Sequence, residues 1–144
     1  MTDVLFLIGS ESDRAAVEPG LALAAERGIR VELKVLSAHR NLEELTAFLK
    51  AGQAGWRVIV AAAGLSAALP GIVASLVGLP VIGVPLVAGG LSGIDALLSI
   101  LQLPKGVPVA TMGIGAQGVL NAVLLAERIL RVGGGTPAGG APRT

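Results

Sequence analysis

The chain has 144 residues, a net charge of +1 at pH 7, only 2% aromatic residues and no cysteine. That length suits one domain with a real core, and a near-neutral, aromatic-poor composition excludes the basic faces and stacking platforms of nucleic-acid binders. Disulfides, thiolate catalysis and cysteine-based zinc sites are excluded too, and with one histidine and scattered acids no metal is expected.

Met1-Thr2-Asp3 lacks the basic start of a signal peptide, so a cytoplasmic protein is expected. Val4 to Ile8 is a continuous apolar run, the pattern of a strand covered on both faces. It ends in Gly9-Ser10-Glu11-Ser12-Asp13, small polar residues suited to a tight turn and then to capping a helix. That helix runs through Leu21 to Glu26 and stops at Gly28, and Pro19 is expected to kink it or mark its effective start. A second strand, Val31 to Leu36, leads through Ser37-Ala38-His39-Arg40 into a helix over about Asn41 to Ala51. There Asn41 and Glu44 have capping-box spacing.

The third strand is Val58 to Ala63, followed by Gly64 to Gly71 and a small-residue helix to about Leu76. The fourth is Pro80 to Val84, with a helix over about Ile94 to Leu101. No charge appears from Val58 to Ile94, which invites a membrane reading, since about 20 apolar residues span a bilayer. Gly64, Pro70, Gly78, Pro80, Gly83 and Pro85 cut the stretch into shorter pieces. Buried strands and helices that face other subunits leave the same charge gap, and that reading is preferred to membrane insertion. A fifth strand, Val107 to Thr111, and a helix over about Gln117 to Arg131 close the domain, residues 1–132. Residues 133–144 are rich in Gly, Pro and Ala and read as a flexible tail.

Alternation of strands and helices implies right-handed βαβ units, a parallel sheet and helices on both faces: a single α/β domain. Ligands of such sheets bind outside the carboxyl ends of the strands. The polar or Gly-rich turns after the first four strands lie on that edge, so Ser10, Ser12, Asp13, His39, Arg40 and Ser66 should converge. The hydroxyls and turn amides of Ser10 and Ser12 at a helix N-terminus suit an anion, and the Arg40 guanidinium adds a forked donor for phosphate. Ser12 or Asp13 can instead cap the helix, in which case Ser12 as cap leaves Asp13 free for sugar hydroxyls. His39, the sole histidine, is either a proton shuttle or a turn residue bonding a carbonyl. Gly113-Ile114-Gly115-Ala116-Gln117-Gly118 matches G-x-G-x-x-G, but no further strand follows it. It reads as a close strand-to-helix turn rather than a dinucleotide site. Trp56 and Met112 read as packing residues.

Several of these segments, taken together, resemble the PurE family of purine biosynthesis. They are Gly9-Ser10-x-Ser12-Asp13, Ser37-Ala38-His39-Arg40, Leu69-Pro70-Gly71, Pro80 to Pro85, Leu91-Ser92-Gly93-Ile94-Asp95 and Gly106 to Thr111. The similarity runs in register from about Val4 to Leu130. It implies a flavodoxin-like three-layer α/β/α fold, a homo-octamer, and a ribonucleotide substrate handled without metal, biotin or ATP. The implied reaction is that of a mutase moving the carboxylate of N5-carboxyaminoimidazole ribonucleotide from nitrogen to C4. Direct carboxylation of aminoimidazole ribonucleotide by CO2, or a nucleotide-binding paralogue without catalysis, are the alternatives. By position, His39 is then the general acid/base. Ser10, Ser12, Asp13, Ser37, Ala38, Arg40, Gly64, Ser66 and Leu69 bind substrate, with Asp13 facing the ribose. The mutase class usually reads Gly-Gly-Ala-Ala-His-Leu-Pro-Gly after strand three. Here Leu65 replaces the second glycine and Ala68 the histidine.

Overall fold

Five parallel strands, β1 (Val4–Ile8), β2 (Val31–Val35), β3 (Val58–Ala63), β4 (Val81–Pro85) and β5 (Ala110–Thr111), form one sheet in the order β2-β1-β3-β4-β5. The structure is a computed structural model and describes residues 2–133, so all of the expected tail except Gly133 lies outside the described residues. The central strands β1, β3 and β4 are buried at every position, which is why they read as unbroken apolar runs.

Their side chains alternate between two cores. Phe6, Ile8, Val60, Ala62 and Val84 face α1 (Arg14–Glu26) and α5 (Ala116–Val132). Leu5, Leu7, Ile59 and Ala61 face α2 (Leu42–Gly52), α3 (Leu69–Leu76) and α4 (Ile94–Leu101). The fold is thus three layers, helices on both sides of the sheet, with Trp56 buried in the second core and Met112 packed against the first. Gly20 lets α1 and α5 approach: a Cβ there would lie 2.5 Å from Val119 Cγ1. No helix among the described residues is long and apolar enough to cross a membrane.

Several local expectations give way to hydrogen-bonding constraints. Helix α1 begins at Arg14, after a 3-10 turn over Glu11–Asp13, and runs on through Pro19. Pro19 is therefore not its start: both Pro19 and Ala15, whose carbonyl loses a donor, face solvent. Asn41 precedes α2 but makes no side-chain capping bond, so the expected capping box does not form. Strand β5 is only two residues long, because the Val107 N–H is spent in a turn on Pro104 O and Pro108 has no N–H. At the end of α1, Gly28 adopts φ +68°, as a glycine C-cap should.

The G-x-G-x-x-G segment is a packing device. Gly115 takes φ +77°, and Gly118 sits directly against the carbonyl of Gly113, where any side chain would collide. That closeness lets α5 turn back sharply beneath β4.

Candidate active site

Strand order reverses at β1: the chain moves outward to β2, then crosses to β3 on the other side. Such a switch point opens a crevice between the carboxyl ends of the two inner strands. A cavity of about 540 Å³ lies there, lined by the turns after β1, β2, β3 and β4. All ten residues singled out in the sequence border it: Ser10, Ser12 and Asp13; Ser37, Ala38, His39 and Arg40; Gly64, Ser66 and Leu69. Gly9, Ala63, Leu65, Ala68 and Ala88 also border it and were not singled out as ligand residues. Ala88 shares the strand-end edge, the one signal that could have found it, but a methyl group announces no chemistry.

In the first turn the Ser10 side chain, not Ser12 or Asp13, is the cap. Its Oγ accepts the Ser12 N–H at 3.3 Å and lies 2.9 Å from Ser12 Oγ. The Asp13 N–H donates to Ser10 O at 3.0 Å. Asp13 occupies the N-cap position of α1 yet makes no capping bond with its carboxylate. Burial pushes that carboxyl upward, opposed by a backbone hydrogen bond at Ser10. Glu11 is paired instead with Arg14, through two bonds of 2.8 and 3.0 Å on the exposed side of the turn.

The second turn is closed by Ser37. Its Oγ accepts the Arg40 N–H at 3.1 Å, and its carbonyl accepts the Asn41 N–H at 2.9 Å. Ala38 is buried and anchors the turn in the second core, while His39 and Arg40 are exposed at the cavity. No carboxylate among the described residues is paired with Arg40, so its guanidinium is available to an anion.

The third and fourth turns interlock. Gly64 leaves room for the methyl of Ala88, since a Cβ on Gly64 would lie 2.8 Å from it. One residue on, Leu65 reaches over Gly89, where an added Cβ would lie 2.6 Å from Leu65 Cδ2. Leu65 does this from φ +56°, the left-handed region, although it is not a glycine. That conformation costs a leucine about 1–2 kcal/mol. Ser66 O then accepts the Ala68 N–H at 2.8 Å, and α3 starts at Leu69 with Pro70 in its first turn.

The cavity is therefore two-sided. Hydroxyls, a carboxylate, the imidazole and the guanidinium come from the turns after β1 and β2. The turns after β3 and β4 contribute alanines and leucines, with Ser66 the exception. A charged, hydroxylated ligand end fits the first side and a flat or apolar group the second. Among the described residues no group of three or more His, Asp or Glu side chains is placed to hold a metal.

Residues 3–136 match the family model described as AIR carboxylase. The N5-carboxyaminoimidazole ribonucleotide mutase of Saccharolobus solfataricus is 47% identical over 133 residues, covering 92% of this chain and 83% of that protein. The mutase of Mycobacterium tuberculosis is 49% identical over 125 residues, covering 86% and 71%. The crystal structure of Treponema denticola PurE superposes with a TM-score of 0.82 at 30% identity, covering 92% of this chain and 82% of that one.

Proposed function

The chain belongs to the AIR carboxylase family, and from that membership we propose how the cavity at the strand ends carries out the reaction. The activity is that of an N5-carboxyaminoimidazole ribonucleotide mutase, an isomerase of de novo purine biosynthesis. The carboxylate leaves the exocyclic nitrogen of the substrate and arrives on C4 of the same imidazole.

In this reading the phosphate sits on the Ser10–Ser12 turn, held by the two serine hydroxyls at the N-terminal end of α1 and by Arg40. Asp13, uncommitted to capping, accepts hydrogen bonds from the ribose hydroxyls. The imidazole then lies between His39 and the apolar turns. As the N–CO2 bond breaks, its electron pair returns to nitrogen and His39 supplies a proton there, giving CO2 and aminoimidazole ribonucleotide. C4 attacks the CO2 as an enamine carbon, and His39 removes the C4 proton to restore aromaticity. The proton borrowed is returned, so no cofactor enters the balance. A placed acid/base contributes about 10²–10⁴-fold, and CO2 held against the ring adds a proximity gain.

The observation that carries this reading is the shared cavity: the one histidine and an arginine unpaired among the described residues leave the same turn facing a serine-lined helix start. The test is product formation from the N-carboxylated nucleotide, run beside aminoimidazole ribonucleotide with bicarbonate. His39→Asn should lose at least about 10²-fold in turnover while binding the product nucleotide within a few-fold of wild type. Wild-type rates in that variant remove His39 from the mechanism. Efficient use of bicarbonate but not of the N-carboxylated substrate makes the chain a direct carboxylase.

The same reading makes the enzyme a cytoplasmic homo-octamer. Its support in this chain is an apolar surface on and before α4, where Leu91, Ile94, Leu98 and Leu101 are each at least half exposed. Beside them Asp95 Oδ1 is buried without a hydrogen-bond partner among the described residues. Further copies of the chain would cover that surface and supply a donor.

A further inference from the structure

The mutase reading leaves one hazard: CO2 set free in the cavity can escape or be hydrated before C4 captures it. We propose that Leu65 is the residue that closes the apolar side of the cavity over the released CO2, so that carboxyl transfer outruns loss. The inference rests on that reading and deepens it.

Three observations on Leu65 converge. Its side chain borders the cavity on the side that carries the alanines and leucines, opposite the polar turns. Its backbone is held at φ +56°, a conformation a leucine keeps only where surrounding contacts impose it. Those contacts are visible: the bare Gly89, itself at φ +69°, accepts Leu65 Cδ2, while the neighbouring Gly64 accepts Ala88. The two turns are thus pinned together at consecutive residues, with Leu65 as the outer member. The residue is nonetheless 53% exposed, so packing in the core does not account for its position. A glycine would relieve the backbone at no steric cost, and it would open the cavity mouth beside Ala68, where only a methyl group stands. What the strained leucine adds is apolar bulk at the rim, which excludes water from the reacting centre.

Leakage is chemically distinct from transfer. Loss of the carboxylate with a proton taken up at nitrogen gives aminoimidazole ribonucleotide and CO2; transfer gives the C4-carboxylated isomer. The experiment measures the ratio of these two products from the N-carboxylated substrate, corrected for its spontaneous decarboxylation, on enzyme eluting at the wild-type size. Leu65→Ala keeps the left-handed strain but removes the bulk. Leu65→Gly removes both, and Leu65→Met keeps the bulk.

The expected result is a several-fold higher share of the decarboxylated product with both Ala and Gly, and a wild-type ratio with Met. Leu65→Gly should melt no lower than wild type. Unchanged ratios in Ala and Gly overturn the proposal. So does leakage in Gly alone, which would assign the effect to backbone mobility. A wild-type enzyme that makes no C4-carboxylated isomer from this substrate overturns the mutase reading itself, and this inference with it.

Discussion

Ser37 Oγ accepts the backbone N–H of Arg40 at 3.1 Å, so the turn that presents His39 is closed by a hydroxyl from within. Side-chain closure of this kind is what lets a four-residue turn hold two exposed functional side chains without a helix cap. Ser37→Ala removes the acceptor and leaves the Arg40 N–H to water. Because the turn is exposed, the stability cost should be small, about 0.5–1 kcal/mol. The effect on turnover should exceed the effect on melting, since His39 and Arg40 lose their common support. Steady-state kinetics beside thermal melting checks this; equal, marginal changes in both would assign Ser37 no positioning role.

Asp13 is predicted to trade stability for binding. Its carboxyl is pushed upward by burial, so the folded protein holds this proton more tightly than the unfolded chain. Stability from this group therefore falls as pH rises from the ordinary carboxylate range through the raised folded value. Asp13→Asn should melt slightly higher than wild type at neutral pH, and the gain should vanish at pH low enough to protonate Asp13. The same variant should bind the ribonucleotide at least about tenfold more weakly, the loss of a charged hydrogen-bond acceptor. Melting curves across pH with titration calorimetry measure both.

Asp3, on the opposite edge of the sheet, has the reverse sign. Arg30 holds its carboxyl below the usual range through bonds of 2.8 and 2.9 Å, and the Arg30 backbone N–H adds a third at 3.1 Å. The folded pKa is depressed, so this contribution is complete above the unfolded value and is lost as pH falls through the folded one. Asp3→Ala should destabilise by about 1–3 kcal/mol at neutral pH, and the deficit should shrink under strongly acidic conditions. Denaturant melts at two pH values test it. No change in catalysis per folded molecule is expected.

Gly118→Ala should be among the most damaging single-methyl changes in the chain, costing about 3 kcal/mol or more. The added carbon meets the Gly113 carbonyl rather than a movable side chain. By contrast, Gly9→Ala and Gly55→Ala meet nothing nearby and should alter stability little. Equal melting of Gly118→Ala and Gly55→Ala would show that the turn into α5 relaxes freely.

Much of the fold was legible in the sequence because the sheet is parallel and covered. Val4 to Ile8 and Val58 to Ala63 must be apolar on both faces, and that leaves an unbroken run no surface strand would show. Ser37 to Arg40 stood out for another reason, since an imidazole and a guanidinium side by side at a strand end have no role in a core. Local bonding was harder to read. Before α1 the capping duty fell to Ser10 rather than Ser12 or Asp13, and before α2 Asn41 makes no capping bond, because backbone geometry, not residue type, decides which oxygen meets an N–H.

What residue order alone determined was the alternation of elements and the chemistry waiting at their ends. That those ends share one edge was legible too; which turns face each other across the crevice was decided only in three dimensions. The switch between β1 and β3 sets the polar turns of one half against the apolar turns of the other, and no spacing in the chain encodes that apposition. The seating of Leu65 on Gly89 is of the same kind: 24 positions separate them. A leucine accepts a left-handed backbone only when contacts from elsewhere in the fold impose it.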